Sequence, residues 1–202
     1  MIIEGLLTTT GDDGGPHVAP MGPVVDEHLQ AWTLRPFVSS TTFRLLRAFP
    51  HCVFHVVDDV LPVVEAALGM PSSLSFASHR SPPAPTSAPT PTDEAGGEVQ
   101  VWTIPSACHW YHLQVTEWDV SGQRSQATAR VVQQHVQRPF WGWNRAKHVV
   151  LEATILATRV HLLERQAIDD DLARMAVVIE KTAGPREWQA WHMLGEYFAA
   201  RC

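Results

Sequence analysis

The segment from Ile2 to Thr10 is mostly β-branched or aliphatic and runs straight into Gly11-Asp12-Asp13-Gly14-Gly15. Glycine and aspartate accept the positive φ that a tight turn between strands demands, so the start of the chain is committed to a β-hairpin. Its second arm is His17 to Val25. The polar turn Asp26-Glu27-His28 follows, then Leu29 to Arg35, where Leu29, Ala31, Thr33 and Arg35 alternate with Gln30, Trp32 and Leu34 as a third strand. Ser39-Ser40-Thr41-Thr42 then offers capping hydroxyls to a short helix over 42–49, with Phe43, Leu46 and Phe49 at helical spacing and Pro50 as its stop. Cys52 to Val57 reads as a buried strand. Asp58-Asp59 caps a further helix, with Pro62 tolerated in its first turn and Gly69 at its end.

From Pro71 to Gly97 the composition changes: Pro82, Pro83, Pro85, Pro89 and Pro91 are spaced by Ser, Thr and Ala, with few apolar side chains. Such a stretch has little to bury and reads as a surface loop, with an interdomain linker as the competing interpretation. Strand-like segments resume at 98–104, 110–120 and 126–136 and are expected to complete a barrel. After Arg138 the pattern turns helical, with a long helix over 144–163, a second over 169–181 and a third over 185–200 opened by Pro185. The expected organisation is a β-barrel domain over 1–142, carrying the Pro-rich insertion at about 71–97, and a helical C-terminal region over 143–202. The fold class is therefore α+β, mainly β.

A chain of 202 residues with 45% hydrophobic and 18% charged residues has enough apolar surface for a real core and too few residues for more than one full domain with an appendage. Its net charge of -6 at pH 7 has the wrong sign for sequence-independent binding to nucleic acid or anionic lipid, so neither partner is expected. The 3 cysteines are odd in number and widely spaced, which argues for a reducing compartment. With no basic or long apolar start at Met1 to Gly5, a cytoplasmic location is expected.

Two segments combine groups that bind anions. Arg35-Pro36-Phe37 leads into Ser39, Ser40, Thr41 and Thr42, so a guanidinium and a hydroxyl cluster flank a helix N-terminus, where free N–H groups and the dipole favour a phosphate. The plainer reading is an N-cap beside an unrelated surface arginine. Further on, the aromatic turn Phe140-Trp141-Gly142-Trp143 opens a helix on which Asn144, Lys147 and His148 share one face, suited to an anion or a planar ring, or simply to a basic patch over a packed aromatic plug. The clusters His51-Cys52-Val53-Phe54-His55 and Cys108-His109-Trp110-Tyr111-His112 lack zinc spacing, since residues four apart on a strand stand about 13 Å apart. They are expected to be structural or surface histidines, and no metal site is expected.

Taken together, Met1-Ile2-Ile3-Glu4-Gly5, Ala19-Pro20-Met21-Gly22, Leu34-Arg35-Pro36-Phe37, the Ser40/Thr42 pair, Asp58-Asp59-Val60-Leu61, Asn144-Arg145-Ala146-Lys147-His148 and the run from Glu180 to Glu187 resemble an uncharacterised flavoprotein family, domain of unknown function 447. The blocks fall in the family's order along nearly the whole chain. The resemblance implies an FMN-binding split β-barrel of the flavin-reductase type, acting as a homodimer. It places Ser40 and Thr42 at the flavin phosphate, Arg35 at the same pocket, and Met21, Gly22 and Leu34 to Phe37 beside the isoalloxazine. Asn144, Lys147 and His148 enter as cofactor-facing candidates. His55 stands where flavin reductases of this type often have Asn, which puts that contact in doubt. The implied activity is an oxidoreductase with substrate and electron donor unassigned; the alternative is a non-catalytic flavin-binding or structural dimer. A link to tetrahydromethanopterin-dependent one-carbon metabolism is implied only by association with the family.

Overall fold

The computed structural model describes residues 1–82, 98–122 and 124–201. They form two compact units, one made of 1–57 and 75–139, the other of 58–74 and 140–202.

The first unit is the barrel. Strands β1 (Gly5–Thr10), β2 (Pro16–Met21), β3 (Val24–Val25), β4 (Ala31–Leu34), β5 (His51–Val56), β8 (His109–Asp119) and β9 (Gln126–Val136) make one seven-stranded antiparallel sheet in the order β2-β1-β5-β8-β9-β4-β3. The expected hairpin turn closes with the Gly11 amide bonded to the Gly15 carbonyl and Gly14 at φ 79°. The concave face collects Leu7, Trp32, Leu34, Phe54, Tyr111 and Leu113 into a dry core, with Leu46 of helix α1 (Thr41–Ala48) packed among them. Gly5 is required where β1 crosses β5, because a Cβ there would sit 2.4 Å from the His55 carbonyl oxygen and 2.6 Å from the Phe54 ring.

Among the described residues, strands β6 (Ala77–Ser81) and β7 (Val99–Thr103) pair only with each other, so residues 98–104 do not complete the barrel as expected but build a separate ribbon. Val101 and Val99 of that ribbon pack with Val53 and Trp110. The expectation of a single loop over 71–97 is corrected in its described part: Ala77–Ser81 is a strand, and 83–97 lie outside the described residues. Polar contacts hold β6, whose buried end is Ser81. Gln133 Oε1 accepts from Ser81 Oγ at 3.0 Å and from His79 Nε2 at 3.1 Å. The single Ser81 proton is thereby used, so Ser81 accepts from His112 Nδ1 at 2.6 Å, and His112 Nε2 accepts from His51 Nδ1 at 3.0 Å.

The second unit contains α2 (Leu61–Ala67), α3 (Arg145–Ala157), α4 (Arg165–Thr182) and α5 (Pro185–Arg201). Ala146, Val150, Ala153 and Ala157 recur at i, i+4, i+7 and i+11 on α3 and meet Leu61, Val64, Ile179 and Leu194 in one core. This corrects the 1–142 and 143–202 division, since 58–74 leaves the barrel to bury its apolar side chains among the C-terminal helices. The expected helix over 144–163 ends at Ala157: a 3-10 turn follows at Val160–Leu162, in which Val160 still packs on the core while Leu162 is largely exposed. The next helix begins earlier than expected, at Arg165, whose guanidinium pairs with Asp169 one turn on. Among the described residues, no helix is long and apolar enough to cross a membrane.

Burial holds the imidazoles of His55 and His112 near pKa 3, for His112 with help from His51 and His79. Because both lie below the ordinary histidine value, the unfolded chain takes up protons that the folded one refuses. The stability they confer is complete above about pH 6.5 and is lost as pH falls towards 3, at about 1.4 kcal/mol per pH unit for each group. Urea unfolding followed from pH 7 to 4 should show this slope, and His55→Gln should reduce it by about one proton. An identical slope in the variant would count against the assignment.

Candidate functional site

Helix α1 begins in the form an anion site needs. Ser40 is its N-cap: the backbone is extended at φ -81° and ψ 151°, and Oγ accepts from the Phe43 amide at 3.2 Å while donating to the Phe37 carbonyl at 2.7 Å. No acidic side chain occupies the first turn. Its leading amides have no acceptor within the helix, so they and the dipole present positive potential beside exposed Ser39 and Thr41. Thr42 is buried, and its Oγ1 lies 3.3 Å from Nε2 of His17 on β2. Arg44, one turn further along, makes a two-pronged pair with Asp12 of the hairpin turn at 2.7 and 2.8 Å. That guanidinium holds the exposed Asp12 carboxyl below its ordinary range.

The segment entering α1 is pinned by its backbone. The buried Pro36 carbonyl accepts from both the amide and the hydroxyl of Ser125, at 3.0 and 2.9 Å. Phe37 forms a β-bridge with Arg124, whose guanidinium lies 4.0 Å from the ring centroid. Between these anchors and β4 stands Arg35, whose Nε is buried without a hydrogen-bond partner. A cation donor left unsatisfied in the folded chain is what a phosphate ligand would complete. Met21 packs on the barrel core that also holds Leu34, and a Cβ at Gly22 would meet the Glu4 carboxylate at 2.7 Å. The structure thus brings Arg35, Pro36, Phe37, Ser39, Ser40, Thr41 and Thr42 into one continuous strand-to-helix turn, and it adds His17, which the sequence reading did not select.

His55 resolves differently. It is buried, its Nδ1 donates to the Leu6 carbonyl at 3.2 Å, and its Nε2 accepts from the Ile104 amide at 3.0 Å. Both ring nitrogens are consumed by backbone, so this histidine is a clamp within the barrel.

In the helical unit Asn144 caps α3, its Oδ1 accepting from the Lys147 amide at 3.2 Å while Nδ2 donates to the Thr182 carbonyl at 3.1 Å. His148 Nδ1 donates to the Asn144 carbonyl at 2.7 Å, and its ring lies 5.3 Å from that of Trp143. Asp58 Oδ2 takes the Trp141 amide at 3.0 Å, which holds an aromatic turn whose Trp141 and Trp143 are 85% and 86% exposed. Asn144 and His148 are therefore engaged in local structure, and their cofactor role is an expectation drawn from side-chain chemistry. Among the described residues, no group of three or more His, Cys, Asp or Glu could hold a metal ion.

The family description "Protein of unknown function (DUF447) N-terminal domain" matches residues 3–138, and "Protein of unknown function (DUF447)" matches residues 144–196. The chain belongs to the DUF447 family. Among solved structures, this DUF447 protein is similar to the FMN-bound protein MM1853 from Methanosarcina mazei, with 20% identity, coverage of 97% of this chain and 94% of that one, and a TM-score of 0.73. It is also similar to the flavin reductase HpaC complexed with NADP+, with 8% identity over 71% of this chain and 82% of that chain, at a TM-score of 0.50. At these identities the likeness is one of fold, a flavin-reductase-like curled sheet with a helical C-terminal region. No curated protein matches the chain.

The double use of Asn144 carries a stability prediction. Asn144→Ala should cost about 1–2 kcal/mol in denaturant unfolding, from the lost cap and the lost bond to Thr182, whereas Lys147→Met should stay within about 0.5 kcal/mol of wild type.

Proposed function

We propose that this DUF447 protein is an FMN flavoprotein with oxidoreductase activity that works as a homodimer. The observation that supports it best is the α1 N-terminus, a Ser-capped first turn free of acidic residues that follows Arg35, with its unsatisfied Nε, within a few residues of chain, in a fold shared with an FMN-bound relative. Arg35, Ser39, Thr41 and Thr42 would hold the phosphate through charge-assisted hydrogen bonds and main-chain amides, with Ser40 as the cap that fixes the first turn presenting them. Met21, Gly22, Pro36 and Phe37 would line the ring. FMN supplies two-electron and hydride chemistry when bound, and the chain contributes binding, orientation and exclusion of water. The Ser125 bonds to the Pro36 carbonyl fix the wall against which a ring would be oriented.

The purified protein should be yellow, bind FMN more tightly than riboflavin, and bleach when NADH or NADPH is added without oxygen. Retained colour under both nucleotides would favour a flavin carrier over an enzyme. Thr42→Val combined with Ser40→Gly, which keeps most of the cap, should weaken FMN binding by about 1–3 kcal/mol and leave riboflavin binding unchanged. Equal affinities for FMN and riboflavin in the wild type would remove the phosphate placement. Light scattering of the FMN-bound protein should give twice the chain mass of 22.4 kDa; a single-chain mass with FMN bound would reject the dimer.

A further inference from the structure

The face of β1 and β2 that bears His17 carries more polar chemistry than the barrel needs. Thr9 on β1 stands directly opposite His17 on β2 in the antiparallel register, so the two side chains share one face of the sheet. His17 in turn reaches Thr42 in the first turn of α1. Thr9 is only 3% exposed, and its Oγ1 is buried without a hydrogen-bond partner, an unsatisfied hydroxyl on the face that carries His17. Unlike His55, His17 is half-buried and leans on a hydroxyl whose proton can point either way.

The Thr42 hydroxyl has one proton to give. If His17 Nε2 is bare, it takes that proton, and Thr42 turns only lone pairs towards any anion. If Nε2 carries hydrogen, it donates to Oγ1 and leaves the threonine proton free for a second acceptor. We propose that His17 is a positioning residue that sets Thr42 as a donor and so raises the affinity of the α1 N-terminus for a phosphate monoester. This inference rests on the phosphate reading of α1 given above.

The imidazolium is a donor at Nε2 in every case, so protonation of His17 fixes the productive state and adds a positive charge. In the free protein that protonation is opposed by burial and by the Arg44 cation on α1, which lower the His17 pKa. Arg44 is itself balanced by Asp12 in the β1–β2 turn, and Thr9 faces the ring from β1. A dianion arriving at the first turn reverses that balance, so binding draws a proton onto His17. Phosphate-dependent affinity should therefore rise as the pH falls through the titration of His17, and affinity for riboflavin should not.

The test measures FMN and riboflavin dissociation constants between pH 8 and 6 for wild type, His17→Gln, His17→Leu and Thr42→Val, each checked for native thermal unfolding. The phosphate of FMN titrates in the same range, and comparison with His17→Gln cancels that contribution. The Gln amide can donate without titrating, so this variant should bind FMN with no His17-linked pH dependence, while wild type should tighten several-fold relative to it as the pH drops. His17→Leu should weaken FMN binding about tenfold and spare riboflavin. If Thr42→Val weakens FMN binding but His17→Leu and His17→Gln follow wild type at every pH, the role of His17 is overturned and the phosphate reading stands. If wild type does not distinguish FMN from riboflavin, the phosphate reading falls and takes this inference with it.

Discussion

Two backbone groups in the barrel interior, the Leu6 carbonyl and the Ile104 amide, are bridged by one neutral imidazole. A buried peptide group without a partner costs about 1–3 kcal/mol, so the side chain at position 55 must donate at one atom and accept at another. Histidine does so only while neutral, which links the fold to pH. The same crossing requires Gly5, since β1 passes the His55 carbonyl too closely for any Cβ. With β1 seated on β5, the hairpin brings β2 alongside, and β2 carries His17 to the helix that follows β4. The candidate site therefore depends on a clamp that never touches it.

The elements read most clearly from sequence were those whose signal is local. The turn Gly11 to Gly15, the Ser40 cap and Pro185 at the start of α5 each act within a few residues, and each appears where the composition placed it. Strand β9 matched, and its first six residues, Gln126 to Val131, alternate polar and apolar. The β6 strand was missed for the opposite reason. Ala77-Ser78-His79-Arg80-Ser81 has no apolar stripe, and its burial comes from a hydrogen-bond chain through Gln133, His112 and His51, residues far away in sequence. A periodicity argument has no access to that kind of burial. The early end of α3 was hidden likewise, because helical spacing persists in 158–163 while Leu162 and Leu163 there stay exposed.

The candidate site divides along the same line. Arg35, Ser40 and Thr42 were legible because a guanidinium, a capping serine and a first-turn threonine form one contiguous motif. Thr9 and His17 were not, since their relation to Thr42 exists only once the β1–β2 register and the seat of α1 are set. A register shift of one residue would turn His17 to the other face. The motif Asn144 to His148 shows the converse hazard. Its polar residues looked chemical, yet Asn144 caps α3 and reaches Thr182, and His148 is held by the Asn144 carbonyl.

His55, His112 and His17 thus represent two physical kinds. His55 and His112 have both ring nitrogens committed, to backbone groups in one case and to Ser81 and His51 in the other, so a change of tautomer would break two bonds at once. Such residues are rigid, and burial keeps them neutral. His17 has the single Thr42 contact shown for its Nε2, partial exposure, and a neighbouring arginine already compensated by Asp12. Reversing its tautomer disturbs one hydroxyl rather than a buried network. Of these three, His17 lies beside the first turn of α1 with a contact that either tautomer can keep, while His55 and His112 hold the sheet through bonds that only one tautomer makes.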